Sequence, residues 1–558
     1  MSDPESATPR EDANIRFNAQ GTGRPWGLAV VILALAGAGL VLLSTARYGI
    51  GSDSWDSVIF LDVARNLVSG KGFVFHDGSP LVLWPPLYSM LLALIGFATR
   101  LEPAVFAHLV NAVLFALVIC LSARLFQTGS RQTTIYSVLG VCAVLLSIPL
   151  SGVYAMAWSE CLFIPLVLLY LVFAQRYWDS GGMLSLAVMT ISTALACLTR
   201  YIGVVLVPAG VLTIILATRV SFKTRFTHAF AFAVLSPVPL GLWLVRNYRL
   251  TGTLFGPKPP STFTLVDNVI HSARTMLLWY VPGHGTKLIV LAGIAGAVAA
   301  VASSRTVRSR LLNSTRIILR HDAPSILLLG AYVLGQSASA AMSAHAGTNS
   351  RYLSPAYIPA TLILLKLAYH LLGPTRPTAN AVAGRVPAVL LALWLCFPLR
   401  DVAMSTAVRF KDGAGGFSTR TWRESETVAY AEQMLSTNDG VHVYSNVAEG
   451  LWALAGVNAT EVPGKTQYNS TLSVNKLDDL IGRWPPDGEG YLVWFKNKDR
   501  PWLFSIAELE EIANVVEVAH LGDGSIYRVS ARQTTAPDSS QWRGLPSPPL
   551  KSPPDESK

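Results

Sequence analysis

Three carboxylates and three guanidinium groups stand at the ends of apolar runs in this chain. Asp53 and Asp56 lie in GSDSWDSVIFLDVARNLVSGKGF, Gly51 to Phe73, directly after the first apolar run. Glu160 opens a later run, and Arg200, Arg246 and Arg351 each stand near the end of one. A carboxylate so placed can take a proton from a weak nucleophile such as a hydroxyl. It can also cap a helix, which is the usual role of a lone Asp in a loop and the expectation for Asp53. Glu160 at a helix start is favoured by the dipole in any case. The arginines can hold an anion such as a phosphate through their planar fork, or simply extend to a membrane interface. Lys258, in GPKPPS, can reach a phosphate, though a loop lysine is normally just solvated. His271, His284 and His345 show no metal-ligand spacing and read as hydrogen-bonded structural residues. No spacing indicates a cofactor or a divalent metal. The cysteines (Cys120, Cys142, Cys161, Cys197 and Cys396) all sit in apolar runs and read as packing residues.

The elements that position these groups are transmembrane helices. Of the 558 residues, 51% are hydrophobic and 14% charged, whereas a soluble chain carries roughly 25% charged residues. Mean hydropathy is +0.42. Apolar runs of spanning length, near 20 residues, recur at 26–44, 103–123, 132–150, 160–177, 182–198, 201–218, 227–245, 286–303, 323–342, 353–371 and 385–399. They predict a multi-pass α-helical membrane protein with about 11 transmembrane helices. The run at 86–98, after Pro85-Pro86, is shorter and reads as an interfacial or re-entrant segment. The net charge of +10 resides in short segments between runs, a topology pattern rather than a nucleic-acid stripe. With a cytoplasmic N-terminus, the basic loops fall inside. The segments at 45–102, 151–160 and 246–285 then share the outer side of the plasma (inner) membrane.

After Pro398 the composition changes. Residues 401–530 alternate helix-like stretches, Ser425 to Leu435 and Ile506 to Val515, with strand-like runs at Val441 to Asn446, Tyr491 to Phe495 and Ser525 to Val529. This predicts a small C-terminal α/β extracytoplasmic domain. Residues 1–25 read as a cytoplasmic tail, 26–400 as the transmembrane domain and 531–558 as a disordered tail.

The order of short motifs resembles the GT-C glycosyltransferases, which include the protein O-mannosyltransferases and the lipid A aminoarabinose transferases. The matching residues are Asp56-Ser57, Phe60, Ala64-Arg65-Asn66-Leu67, Gly70-Lys71-Gly72-Phe73 and Pro85-Pro86-Leu87-Tyr88. They continue with Ser159-Glu160, Leu198-Thr199-Arg200-Tyr201, Trp243 with Arg246-Asn247-Tyr248, and Arg351-Tyr352-Leu353 with Pro355. Two departures stand out. The second acidic residue, usually adjacent to the first, is displaced, and the expected Tyr is Phe60. The resemblance implies an enzyme that moves a sugar from a polyprenyl-phosphate donor to a lipid, glycan or protein acceptor, by inverting displacement. Asp56 would be the general base, with Glu160 and Asp53 as further carboxylates. Arg200, Arg246, Arg351, Tyr352 and Lys258 would bind substrate. The alternative is a lipid or glycan transporter or flippase, but no internal repeat of the kind transporters carry is visible.

Overall fold

The structure is a computed structural model that describes residues 24–53, 55–127, 131–281, 303–344, 347–372, 386–435, 440–466 and 472–532. His284, His345, most of the 1–25 tail, the expected span at 286–303 up to residue 302 and the tail beyond 532 lie outside the described residues.

In a bilayer every backbone polar group must be satisfied within the segment, so the apolar runs fold as helices. Among the described residues six are long and apolar enough to cross a membrane: Trp26–Thr45, Pro103–Phe126, Glu160–Ser180, Phe222–Thr251, Ala323–Met342 and Ala388–Asp412. The expected span at 132–150 breaks into Ile135–Leu145 and Ile148–Tyr154, bent by 49°. Pro149 cannot continue the first helix's hydrogen-bond ladder, and Ser147 caps the new one. Counted as one span, the pair makes seven. Met183–Thr199 and Tyr201–Leu216 are shorter apolar helices, and the 353–371 run yields the 16-residue helix Tyr357–Leu372. Among the described residues, length and composition give six or seven spans, and the expected count of about 11 is not confirmed.

Among the described residues of 45–102 no helix is long enough to cross a membrane by itself. Asp56–Val68 and Leu87–Thr99 are helices of 13 residues each. They pack through the edge-to-face pair Phe60 and Tyr88, with ring centroids 5.4 Å apart. The Ser89 hydroxyl donates to the Phe60 carbonyl at 3.1 Å.

The C-terminal part holds a mixed five-stranded sheet in the order β2-β1-β3-β5-β4. β1 is Val443–Ser445, β2 Thr460–Glu461, β3 Glu489–Phe495, β4 Ala513–His520 and β5 Gly524–Ala531. β1 pairs in parallel with β2 and β3, while β3–β5 and β5–β4 are antiparallel. The three expected strands are β1, β3 and β5. β4 corrects the expectation of a helix through Val515. The Ser505–Glu508 capping box opens a helix that runs only Ile506–Ile512. The β-branched Val515, Val516 and Val518 then favour an extended strand over further turns. The helix Val386–Asp412 contains Pro398 and runs past residue 400, so the change in composition falls inside an element.

Two backbone contacts join the halves where they matter. The Ser52 amide donates to the Gly415 carbonyl at 3.2 Å, and the Phe417 amide donates to the Ser52 carbonyl at 2.6 Å. On the other side, the Gly51 amide donates to Ala155 O and the Ala157 amide to Gly51 O, both at 2.8 Å. The segment leading to Asp53 is thus held between two others. Gly416 makes this possible: its φ is +57°, and a Cβ there would sit 2.0 Å from the Ser52 carbonyl oxygen.

Gly416→Ala is therefore expected to destabilise the protein by more than the roughly 1–2 kcal/mol that a left-handed residue costs alone. Gly241→Ala, in a helix with no atom within 4 Å of the new Cβ, is expected to leave the midpoint unchanged or raise it. Thermal unfolding of the two purified variants checks this; equal midpoints would show that the 52–416 contact is dispensable.

Candidate active site

The carboxylates and two of the arginines meet at one place. Glu160 is the first residue of its helix, and its side chain is only 1% exposed. Its position is fixed from behind by Asn111, whose amide donates to the Tyr154 and Met156 carbonyls at 3.1 and 2.8 Å, holding the turn that precedes it. Arg351 comes from the one-turn helix Ser350–Leu353, whose N-cap Asn349 accepts from the Arg351 and Tyr352 amides. Its Nε donates to Glu160 Oε1 at 2.7 Å, and its Nη2 donates to Asp56 Oδ2. Asp53 Oδ2 lies 4.0 Å from Arg351 Nη1. Arg200 reaches the same Glu160 Oε1 at 2.7 Å and donates to the Ser159 hydroxyl at 3.1 Å. The guanidinium of Arg351 lies 3.9 Å from the Trp158 ring centroid, with Tyr352 at 5.2 Å on another side. Tyr352 is also 5.4 Å from the Arg200 guanidinium. Burial first, then Asp56, pushes the Tyr352 phenol up to about 12, so it stays a hydrogen-bond donor.

Two tryptophans complete the arrangement, and neither was singled out as a site residue from the sequence. The Trp84 indole N–H donates to Asp56 Oδ1 at 2.8 Å, and the Trp158 indole donates to Asp53 Oδ1 at 3.1 Å. Their signal was position alone: Trp84 precedes Pro85-Pro86, and Trp158 stands two residues before Glu160. Asp53 is not a helix cap. The N-cap residue is Trp55, which makes no side-chain cap bond. Asp53 accepts instead from the Ser57 hydroxyl at 3.3 Å and from Trp158.

The environments of the two aspartates diverge. For Asp56, burial acts to raise the pKa, but attraction to Arg351 and Arg200, with hydrogen bonds from Arg351 and Trp84, outweighs it and holds the carboxylate below its usual range. For Asp53, burial dominates; repulsion from Asp56 adds to it, Arg351 opposes it, and the carboxyl lies above its usual range.

Arg246 and Lys258 are elsewhere. Arg246 Nη1 donates to Leu81 O at 2.7 Å and its Nη2 to Phe73 O at 3.3 Å, while its guanidinium stacks 4.3 Å from Trp243. Beside it the Tyr201 hydroxyl donates to Val82 O at 2.7 Å and accepts from Asn247 and Trp243. This network clamps the loop at 73–83. Lys258 Nζ sits 4.4 Å from the Phe255 ring, and burial holds its pKa below the ordinary lysine range. His271 packs edge-on against Phe263. Among the described residues no group of three His, Cys, Asp or Glu side chains is arranged to hold a metal. A separate open cleft lies between the segment that follows the first span and the C-terminal part, lined among others by Leu61, Asp62, Arg65, Arg423 and Trp452. The carboxylate cluster does not line it.

No protein-family model matches the chain, and no curated protein matches it in sequence. Solved structures do. ArnT from Cupriavidus metallidurans in the apo state has a TM-score of 0.56 at 14% identity, covering 90% of this chain and 98% of that one. ArnT bound to undecaprenyl phosphate gives 0.54 at 13% identity, with the same coverage. The archaeal oligosaccharyltransferase AglB from Archaeoglobus fulgidus, in complex with an inhibitory peptide and a dolichol-phosphate, gives 0.50 at 10% identity, covering 85% of this chain and 69% of that one. At these identities the likeness is one of fold. The chain is a multi-pass membrane protein with the GT-C fold.

Removing one partner of a buried charge pair costs about 3–5 kcal/mol. Glu160 keeps Arg200 when Arg351 is lost, so Arg351→Ala is expected near the low end of that range, and Arg351→Lys is expected to recover part of it. Denaturation of purified variants in detergent checks this. A full recovery by Lys would show that the fork between Glu160 and Asp56 contributes nothing.

Proposed function

We propose that this protein is a membrane glycosyltransferase, hexosyl or pentosyl, that moves a sugar from a polyprenyl-phosphate donor to a hydroxyl of a lipid, glycan or protein acceptor. The observation that carries the reading is the convergence of Asp53, Asp56 and Glu160 with Arg200 and Arg351, from four distant stretches of chain, beside the ends of apolar helices. A transfer of this kind needs a base for the acceptor and cations for the leaving phosphate, and both are here. ArnT and AglB, whose fold the chain shares, were solved with undecaprenyl phosphate and a dolichol-phosphate. A transporter or flippase would want charged groups along a path at mid-membrane; here they gather beside the helix ends.

In this reading Arg351 and Arg200 hold the donor phosphate. Arg200 has a buried Nε without a hydrogen-bond partner, so it retains a donor for an incoming oxygen. The acceptor oxygen attacks the anomeric carbon, the bond from that carbon to the phosphate oxygen breaks, and polyprenyl phosphate leaves with the electron pair. Asp56 takes the acceptor proton. With Arg351 paired to it, Asp56 is a weak base; a donor phosphate that draws the same guanidinium away lifts that hold. Asp53 stays beside it as a second acceptor, fixed by Trp158, and Tyr352 offers a hydrogen bond from the other side. Arg246 holds the loop that leads to Trp84, and Lys258 lies over the Phe255 ring. The reading places the site and the 401–530 domain on the outer face of the inner membrane, the N-terminus in the cytoplasm, and the transferase domain at 26–400.

Comparing lipid-linked sugars and envelope glycans in cells with and without the protein tests the activity; no change in either sinks it. For the mechanism, Asp56→Asn keeps the shape and the Trp84 bond but cannot take a proton. Turnover is expected to fall by roughly 10²–10⁴-fold, and Asp53→Asn is expected to cost less. If Asp53→Asn abolishes turnover while Asp56→Asn retains it, the base is Asp53.

A further inference from the structure

At the far ends of the helices that carry the site lies the helix Arg305–His321, RTVRSRLLNSTRIILRH. It has five arginines and no Asp or Glu. The Trp178 indole donates to the Arg320 carbonyl at 2.9 Å, and the Gln175 amide donates to the His321 carbonyl at 2.6 Å. Both belong to the last turns of Glu160–Ser180, whose first residue is in the carboxylate cluster. A helix of 21 residues spans roughly 30 Å. Arg310 Nη1 donates to the Leu371 carbonyl at 3.4 Å, at the end of Tyr357–Leu372, the helix that follows Arg351. The Arg305–His321 helix therefore crosses the ends of two helices on the side of the membrane opposite the site.

It has three faces. At about 100° per residue, Val307, Leu311, Ser314 and Ile318 form the stripe that packs on the protein; Ser314 and Ile318 are buried. Leu312 and Leu319 lie on a second stripe, about a third of a turn away, and are 54% and 51% exposed. Arg305, Arg316 and Arg320 occupy the adjoining arc, all exposed and with no carboxylate partner among the described residues. Ile317 is exposed on the other flank. Leucines beside an unpaired basic arc, at the depth where spanning helices end, match a helix lying in a membrane interface. We propose that this helix is an anionic-lipid binding surface. Leu312 and Leu319 dip into the acyl boundary, and Arg305, Arg316 and Arg320 take the phosphate groups of negatively charged phospholipids in the leaflet opposite the carboxylate site. Charge complementarity selects this occupant, because a helix without an acidic residue has nothing of its own to neutralise the arc. The inference rests on the membrane fold and stands apart from the glycosyltransferase reading.

The test uses the full chain. A nitroxide is placed at Leu312→Cys or Asn313→Cys, with the native cysteines replaced, in vesicles of phosphatidylcholine containing phosphatidylglycerol. The label at 312 should be open to oxygen and shielded from an aqueous nickel chelate, and the label at 313 the reverse. A water-exposed label at 312, or one shielded from both reagents, overturns the proposal. In detergent, titration with phosphatidylglycerol should show tighter binding than phosphatidylcholine. Each lost arginine should weaken it roughly fivefold, so R305Q/R316Q/R320Q should weaken it about a hundredfold. Equal affinity for the two lipids, or a triple variant that binds as the parent does, overturns it. So does displacement of the lipid by soluble glycerol phosphate at matched concentration, since that would make the arc a site for free phosphate. If the triple variant does not fold, the spin-label measurement decides.

Discussion

The Arg351 guanidinium is the interaction on which the site depends. It bridges Glu160 and Asp56 and lies 4.0 Å from Asp53. Three carboxylates so close, one of them nearly inaccessible, repel one another and lose hydration. Without cations the usual outcome is protonation. Arg351 and Arg200 together offset that repulsion. Such pairing is weak evidence of stability in itself, because well-packed apolar residues would often serve the fold as well. Charged groups kept at that cost, beside an interface, point to a role for the charges themselves.

The surrounding fold can be understood as what keeps these groups in register. Each arrives on a short, tightly held segment: Asp53 and Asp56 after a strip of backbone pinned on both sides, Glu160 after a turn held by Asn111, and Arg351 on a single turn capped by Asn349. Indole donors fix the aspartates further, and an indole face supports the guanidinium. The C-terminal part takes a share in this. Trp452 donates to the buried Asp62 at 3.1 Å and stacks on His76 at 4.4 Å. The His76 amide donates to the other oxygen of Asp62 at 2.6 Å. The helix that begins with Asp56 is therefore anchored by Asp62, two turns on, to a tryptophan from the C-terminal part.

How much of this could be read from the sequence depended on whether the signal was local. Apolar runs and the strand-like runs that became β1, β3 and β5 are written in neighbouring residues, and they were legible. Glu160, Arg200 and Arg351 could be named individually because each stands at the end of an apolar run. Their pairing could not, since Arg351 and Asp56 are 295 positions apart and nothing local encodes the match. Arg246 carried the same end-of-run signal as Arg351, yet it binds the carbonyls of Leu81 and Phe73. A guanidinium satisfies backbone oxygens as readily as a carboxylate, and only the fold decides which it meets. The break in the expected 132–150 span has a related cause. Hydropathy marks where the chain is apolar, but Pro149 and the turn before Tyr357 decide whether that stretch is one straight helix.

The two aspartates show why residue type underdetermines chemistry. Both are Asp, both lie within a few residues of the same helix start, and both accept an indole N–H. Asp56 faces two guanidinium groups and is held in the charged form; Asp53 stands farther from Arg351, feels its neighbour's charge, and is pushed the other way. A pair whose environments drive their pKa values apart is suited to divided roles, one carboxylate ionised and one nearer to sharing a proton. Under the proposed function, which role each takes depends on where Arg351 goes when a phosphate competes for it. The guanidinium can satisfy Asp56 or a donor phosphate fully, but not both with the same Nη2 hydrogen. In the proposed reaction, anion binding and the basicity of Asp56 are thereby coupled through a single side chain.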